Sequence, residues 1–184
     1  MAEIAEDQPL MEPGWRLIKS FTQTGAAGQN IDLTGLDLNA YRLVTLIINY
    51  VEGNLGGSTL NLYFNGDYVA ANYYNQSTFA VDAAAYSFLR GNTAQLTTLT
   101  TLTTRIRMRL DIGRDVTGYA HCRGTLGFLW TYAVGVLRRA GVGDVCVVKM
   151  NAPVANITSI RIAGSGANSV GVGSTAELYG LKGA

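Results

Sequence analysis

ITSIRIAGSGANSVGVGSTAELYGLKG, residues 157–183, reads as two strands joined by a loop of small residues. In the first strand Ile160 and Ile162 share one face, with Ser159 and Arg161 on the other. In the second, Val172, Ser174, Ala176 and Leu178 share a face, with Thr175, Glu177 and Tyr179 opposite. A period of two marks a strand with one face turned inward. The segment between them is almost wholly Gly, Ser, Ala and Asn, which accept turn geometry and pack poorly as helix. The expectation is a closing β-hairpin.

The same grammar runs through most of the chain. In WRLIKSF, Trp15, Leu17, Lys19 and Phe21 fall on one side. Residues 41–51 are β-branched and aromatic, with Val44, Leu46 and Ile48 facing one way and Thr45, Ile47 and Asn49 the other. Residues 59–64 and 68–74 flank Asn65-Gly66-Asp67, a strong hairpin signal. Residues 105–112 alternate most cleanly, with Ile106, Met108, Leu110 and Ile112 on one face and Arg105, Arg107, Arg109 and Asp111 on the other. Further strands are expected at 119–123, 125–132 and 145–150. Residues 77–90 carry a Ser77 cap, an Ala-rich run and a Gly91 stop, which read as a helix or a loop. The Leu-Thr-Thr repeat from Leu96 reads as a loop entering a strand. Many short strands with Gly turns predict an all-β protein, an antiparallel β-sandwich of jelly-roll type with an extended N-terminal arm.

Bulk numbers agree with one domain. The chain has 184 residues, 48% hydrophobic and 15% charged, with 22 Gly and a net charge of +1. That is too apolar for disorder and too Gly-rich for a helical protein. No apolar run reaches the ~18 residues of a membrane span. The N-terminus is acidic and has no apolar signal region, so synthesis in a cytoplasm is expected. Residues 1–13 are read as an arm and residues 14–184 as a single β-sandwich domain. The arm carries Glu3, Glu6, Asp7 and Glu12 and no basic residue, with Pro9 and Pro13 near its end. Two readings stand: a solvated tail, or a clip onto a neighbouring subunit.

The sequence offers little chemistry. Its one histidine, His121, adjoins Cys122, but neighbours on a strand point to opposite faces and would not meet as base and nucleophile. Cys122 and Cys146 are too few for a zinc site and read as buried free thiols rather than a disulfide. Gly164-Ser165-Gly166 and Gly171-Val172-Gly173 match no phosphate-binding fingerprint and read as turn glycines. Asp67 reads as a turn residue rather than a calcium ligand. No catalytic residue, cofactor or metal is expected, and nothing marks the carboxylate pair of a glycan hydrolase.

Charge and aromatics are clustered. Arg90, Arg105, Arg107, Arg109, Arg114, Arg123, Arg138 and Arg139 share their span with only Asp111 and Asp115. Like charges along one strand face repel unless opposed. Three readings compete: arginines opposed by cross-strand acids, a docking surface for an acidic protein segment such as a neighbour's arm, or a nucleic-acid contact. The near-neutral net charge argues against the last. Tyr63, Tyr73 and Tyr74, with Phe64 and Tyr68, surround the Asn-Gly turn and read as core packing or as an aromatic platform for sugar or protein.

Three stretches together, GWRLIKSFTQTGAAGQNIDLTGLDLNAYRLVTLIINYVEG, LNLYFNGDYVAANYY and NITSIRIAGSGANSVGVGSTAELYGL, resemble small virion proteins of tailed bacteriophages. The shared pattern is an opening Trp strand, an Ile-Asp-hydrophobic-x-Gly-Leu segment, an Asn-Gly-Asp turn and a closing Gly-Ser…Leu-Tyr-Gly-Leu strand. It covers residues 14–74 and 157–181 and leaves the middle unmatched. The resemblance implies a non-enzymatic jelly-roll protein in the virion, assembled in the host cytoplasm. The implied role is a head decoration, cement or other minor structural protein, or a tail-associated one, and head decoration or cement is the main expectation. Its expected partners are the major capsid protein or other virion proteins and further copies of itself in a trimer or ring. Arm residues Glu3, Glu6, Asp7 and Glu12 and strand residues Arg105, Arg107 and Arg109 are the expected contacts, with no nucleic acid and no membrane. The alternative is a tail- or spike-associated module that binds host glycan through Tyr63, Tyr73 and Tyr74.

Overall fold

The computed structural model describes residues 14–53, 58–81, 84–98, 103–131 and 138–182. They form twelve strands: β1 (Trp15–Thr22), β2 (Asn30–Thr34), β3 (Leu43–Val51), β4 (Thr59–Phe64), β5 (Tyr73–Val81), β6 (Ala84–Gly91), β7 (Gln95–Thr98), β8 (Thr103–Arg114), β9 (Ala120–Thr131), β10 (Arg138–Lys149), β11 (Ser159–Gly164) and β12 (Thr175–Leu181). Two short 3-10 turns, Leu38–Ala40 and Ala70–Asn72, are the only helical turns among the described residues.

The strands make two antiparallel sheets packed as a sandwich. One has eight strands in the order β1-β12-β3-β8-β9-β10-β5-β6, and the other has four in the order β2-β11-β4-β7. Eight strands pair in nested fashion: β1 with β12, β2 with β11, β3 with β8 and β4 with β7. The remaining four, β5-β6 and β9-β10, are hairpins set into the chain between β4 and β7 and between β8 and β11. They widen the larger sheet alone.

The core lies between the sheets, built by alternate residues. Leu46 and Ile48 of β3, Met108 and Leu110 of β8, and Leu178 of β12 meet Leu33 of β2, Leu62 and Phe64 of β4, and Ile160 and Ile162 of β11, all fully buried. Each such apolar side chain stabilises the fold by about 1.5–3 kcal/mol.

Five expectations are corrected by the strands and their pairing. The closing segment is not a hairpin. The inward and outward residues of β11 and β12 alternate as read, with Ile160, Ile162, Ala176 and Leu178 buried, but β11 belongs to the smaller sheet and β12 to the larger. The loop between them crosses the sandwich because it is anchored on β3. Gly171 N–H donates to Val51 O (2.8 Å), Gly53 N–H donates to Ser169 O (2.8 Å), and Val170 is fully buried. The Asn-Gly turn forms, with Asn65 and Gly66 at φ of 53° and 72°, and Asp67 N–H donates to Phe64 O. It too joins strands of different sheets. The Asn65 side chain ties the turn to the entry of β11, accepting from Thr158 N–H (2.8 Å) and donating to Asn156 O (2.7 Å).

Of residues 77–90, read as a helix or loop, those described, 77–81 and 84–90, are strand: β5 pairs with β10 along its whole length and also with β6. Cross-strand pairing outweighs the helix preference of the Ala-rich run. In β1 a bulge between Leu17 and Lys19 breaks the alternation. Ile18 and Phe21 pack on the core, while Trp15 and Leu17 stand opposite Leu181 and Tyr179 of the outer face. The Leu-Thr-Thr repeat also begins in strand, since Leu96 of β7 is fully buried.

One buried group is poorly served. Asn75 of β5 points inward, is fully buried, and neither side-chain oxygen nor nitrogen finds a hydrogen-bond partner. An unsatisfied buried amide costs about 1–3 kcal/mol. Asn75→Val is therefore expected to stabilise the protein by about 1 kcal/mol, a rise in Tm of roughly 2–4 °C on heating. A lowered Tm would mean that the amide is doing structural work inside the sandwich.

Candidate functional site

The outer face of the larger sheet is where exposed charge gathers. In β8 the alternation is strict: Ile106, Met108, Leu110 and Ile112 are buried, while Arg105, Arg107, Arg109 and Asp111 are exposed. Register fixes what lies beside each arginine. Arg105 stands between Val51 and Leu129, Arg107 between Asn49 and Gly127, and Arg109 between Ile47 and Thr125. No acid directly faces any of the three, so the reading of arginines balanced by cross-strand acids does not describe them. They repeat along the strand at roughly 6.7 Å, close enough to repel one another. Among the described residues none of the three makes an ion pair or a hydrogen bond.

The acids of this face are placed elsewhere. Asp111 stands opposite Arg123 of β9 and accepts a hydrogen bond from Thr45 Oγ1 (2.8 Å). Glu177 accepts from the Tyr179 hydroxyl (3.1 Å). Asp144 of β10 stands opposite Thr125 and Thr78. Beside Arg123 the face dips into an open trough of about 770 Å³, lined by Tyr74, Gln76, Asp111, Asp144, Cys146 and Val148 among others. The result is a polar trough at the middle of the sheet with a row of uncompensated arginines along its β8 side.

Toward β1 the same face turns apolar. Trp15, Leu181 and Leu43 form one row across β1, β12 and β3, and Leu17, Tyr179 and Thr45 form the next. Leu17 is 53% exposed and Leu43 50%. Sequence reasoning missed this corner, because the bulge that sends Leu17 outward leaves no mark in the hydropathy pattern.

The tyrosines do not make one platform. Tyr73 is 1% exposed, and its hydroxyl accepts from Phe64 N–H (2.9 Å) and donates to Asp67 O (2.8 Å). Burial pushes its pKa up. Tyr74, next along β5, points to the opposite face and lines the trough. Tyr63 lies on the outer face of the smaller sheet, edge-on to Tyr73 and Tyr68 with ring centroids 5.5 and 5.7 Å away. One face of Tyr68 is covered by the Arg161 guanidinium at 4.2 Å, and Arg161 itself is held by Asp32. Tyr73 is thus a core residue, and its two neighbours serve different surfaces.

Asp67 is the hub of a structural network. It accepts from Asn72 Nδ2 (2.9 Å), Asn151 Nδ2 (3.0 Å) and Val69 N–H, and pairs with Lys149 Nζ at 3.1 Å. Burial pushes its pKa up, but the bonds from Asn72, Lys149 and Val69 and the Lys149 charge outweigh it, and the net shift is down. Every oxygen is thereby used in joining the β4–β5 connection to the end of β10.

His121 and Cys122 occupy opposite faces of β9, the first half-buried and the second fully buried. Burial pushes the Cys122 thiol up to about 12. Cys146 is only half-buried and faces outward beside Arg123, so the two thiols, both free, do not share a face. A second cavity of about 440 Å³ lies near Leu38, Arg42 and Arg114, where Arg114 already donates to Val154 O and Ala155 O. Among the described residues no cluster of His, Cys, Asp and Glu could hold a metal ion, and no helix is long and apolar enough to cross a membrane. Glu3, Glu6, Asp7 and Glu12 lie outside the described residues.

No family model matches the chain, and neither a curated protein nor a solved structure matches it.

Proposed function

We propose that the protein is a structural component of a tailed-bacteriophage virion, a head decoration or cement protein that binds the shell through its acidic arm, its sheet edges and its arginine face. The observation that carries this reading is the nested pairing of β1, β2, β3 and β4 with β12, β11, β8 and β7. This nesting supports reading the sandwich as a jelly roll, a long hairpin rolled into two sheets, with two added hairpins on one sheet. Jelly rolls serve in viral capsids among other settings. Fold alone does not assign function, so the reading also leans on the sequence resemblance and on the uncompensated arginines. Copies associate with one another as a trimer or another closed ring. Contacts with several shell subunits then oppose expansion of the particle by favouring the assembled state.

The glycan-binding alternative is not advanced, because its three-tyrosine platform does not exist as one surface. The test is imaging of purified particles carrying labelled protein, with shell stability measured alongside. Label spread over the head, and shells that resist heat better when decorated, are expected. Label confined to the tail, or a protein that never co-purifies with particles, would overturn the proposal.

A further inference from the structure

We propose that the arginine row of β8 is a docking track for an extended acidic segment of a partner protein, one whose carboxylates fall at every second residue and meet Arg105, Arg107 and Arg109 in turn. The inference rests on the docking role proposed above for this face and names the chemistry of what docks there.

The row does nothing for the fold that carries it. All three side chains are exposed, and among the described residues none makes an ion pair or a hydrogen bond. The positions beside them on β3 and β9 are Val51, Asn49, Ile47, Thr125, Gly127 and Leu129, and none is an acid. Aligned like charges oppose the compact state. An anion from outside removes that cost, and a guanidinium fork suits a carboxylate well.

Spacing selects the form of the anion. The guanidiniums leave the strand at steps of roughly 6.7 Å, the period at which an extended chain presents the side chains of one face. A helix advances its face by only about 4.5–6 Å per step and falls out of register by roughly 3 Å over three residues. Thr125 has a short side chain and Gly127 none, so β9 leaves room for a backbone to lie alongside the row.

The borders of the row select protein over nucleic acid. Asp111 is the next outward residue of β8 after Arg109 and ends the track. Asp144 stands two strands from Arg109 on one side, beyond Thr125, and Glu177 two strands away on the other, beyond Ile47. The basic strip is therefore narrow and roughly 13 Å long. A continuous polyphosphate would run from it onto acids. Single-stranded nucleic acid also needs aromatic side chains on which its bases stack, and none of the six flanking positions is aromatic.

The test titrates the full-length, isotope-labelled protein by NMR with a disulfide-closed hairpin peptide, one strand of which reads Glu-Thr-Glu-Thr-Glu. Amide shifts are expected at residues 105–109 and at their partners on β3 and β9. Affinity should exceed several-fold that of an isomer reading Glu-Glu-Glu-Thr-Thr, whose carboxylates divide between two faces. It should fall several-fold between about 0.1 M and about 1 M salt, as the screening length shrinks from ~10 to ~3 Å. Arg105→Gln/Arg107→Gln/Arg109→Gln should weaken binding roughly tenfold, given the modest worth of each exposed pair. No binding, equal affinity for the two isomers, shifts centred elsewhere, or tighter binding of a thymidine oligonucleotide to the same residues overturns the proposal. A second measurement is the Tm of the triple variant, expected to equal or exceed that of the parent. A fall of several degrees would show that the arginines serve the fold, and also overturns it. No particle enters these experiments, so a failure here leaves the imaging test of the virion reading intact.

Discussion

Asp67→Ala is expected to destabilise the protein by about 3 kcal/mol or more at neutral pH, read as a fall in the urea midpoint with little change in slope. The reason lies in what remains. The Lys149 side chain is 7% exposed and pairs with an Asp67 carboxylate that is itself only 16% exposed. Removing the acid leaves a buried ammonium held by Asn151 Oδ1 alone. Asn72 and Asn151 lose their shared acceptor as well. An unpaired buried charge costs more than the pair is worth, so Asp67→Ala combined with Lys149→Met should recover most of the loss. A double variant as unstable as the single one would place the cost in the turn instead.

The pH dependence has a definite sign. The carboxyl's folded pKa lies below its ordinary value of 3.8. Its contribution is therefore present above that value and is lost as pH falls through the folded pKa. The gap between the parent and Asp67→Ala should be widest at neutral pH and should narrow below about pH 4.

Gly124→Ala is expected to cost at least about 3 kcal/mol, enough to lower Tm by roughly 6–12 °C in a chain of this size. Gly124 sits in β9 opposite Leu110 of β8 and Val145 of β10. A methyl group there would lie 1.9 Å from Arg109 O and 2.8 Å from Leu110 Cα. Both atoms are backbone, so no rotamer change relieves the clash, and β8 and β9 would have to part. Gly113→Ala is the control. Its methyl would meet only the His121 ring, at 3.4 Å, and should cost well under 1 kcal/mol. Similar melting for the two variants would mean that the β8–β9 ladder yields more easily than its register implies.

The strands of this protein were legible in proportion to how strictly they alternate. β8 reads correctly residue by residue, because one face is wholly core and the other wholly solvent. Which strand pairs with which was not legible. Both the Asn65-Gly66 turn and the 165–174 loop look like hairpin connections, yet each passes between sheets, and what redirects them is distant: Asn65 bound to the start of β11, and Ser169 and Gly171 bound to the end of β3. A period of two tells which face a residue takes and nothing about its neighbour. The helix reading of 77–90 failed for a related reason, since the pairing with β10 that makes it strand comes from residues about sixty positions later. Of the candidate surface, the arginine row was legible and its lack of opposing acids was not. That depends on Val51, Asn49 and Ile47 arriving beside it. The tyrosine cluster misled because adjacent Tyr73 and Tyr74 look alike in sequence and serve opposite faces.

The pairing of β1 with β12 joins Trp15 to Leu181, the two ends of the sandwich. During synthesis β1 can acquire no lasting partner until β12 has left the ribosome, and the same delay holds for β2 and β11. Closing so long a loop makes such folds slow to form. The nascent chain must therefore carry β1, with Trp15 and Phe21, without its partner strand for as long as it takes to make the residues between β1 and β12. The step that completes the larger sheet comes last, and a failure there would leave an open strand edge able to pair with the β12 of another copy.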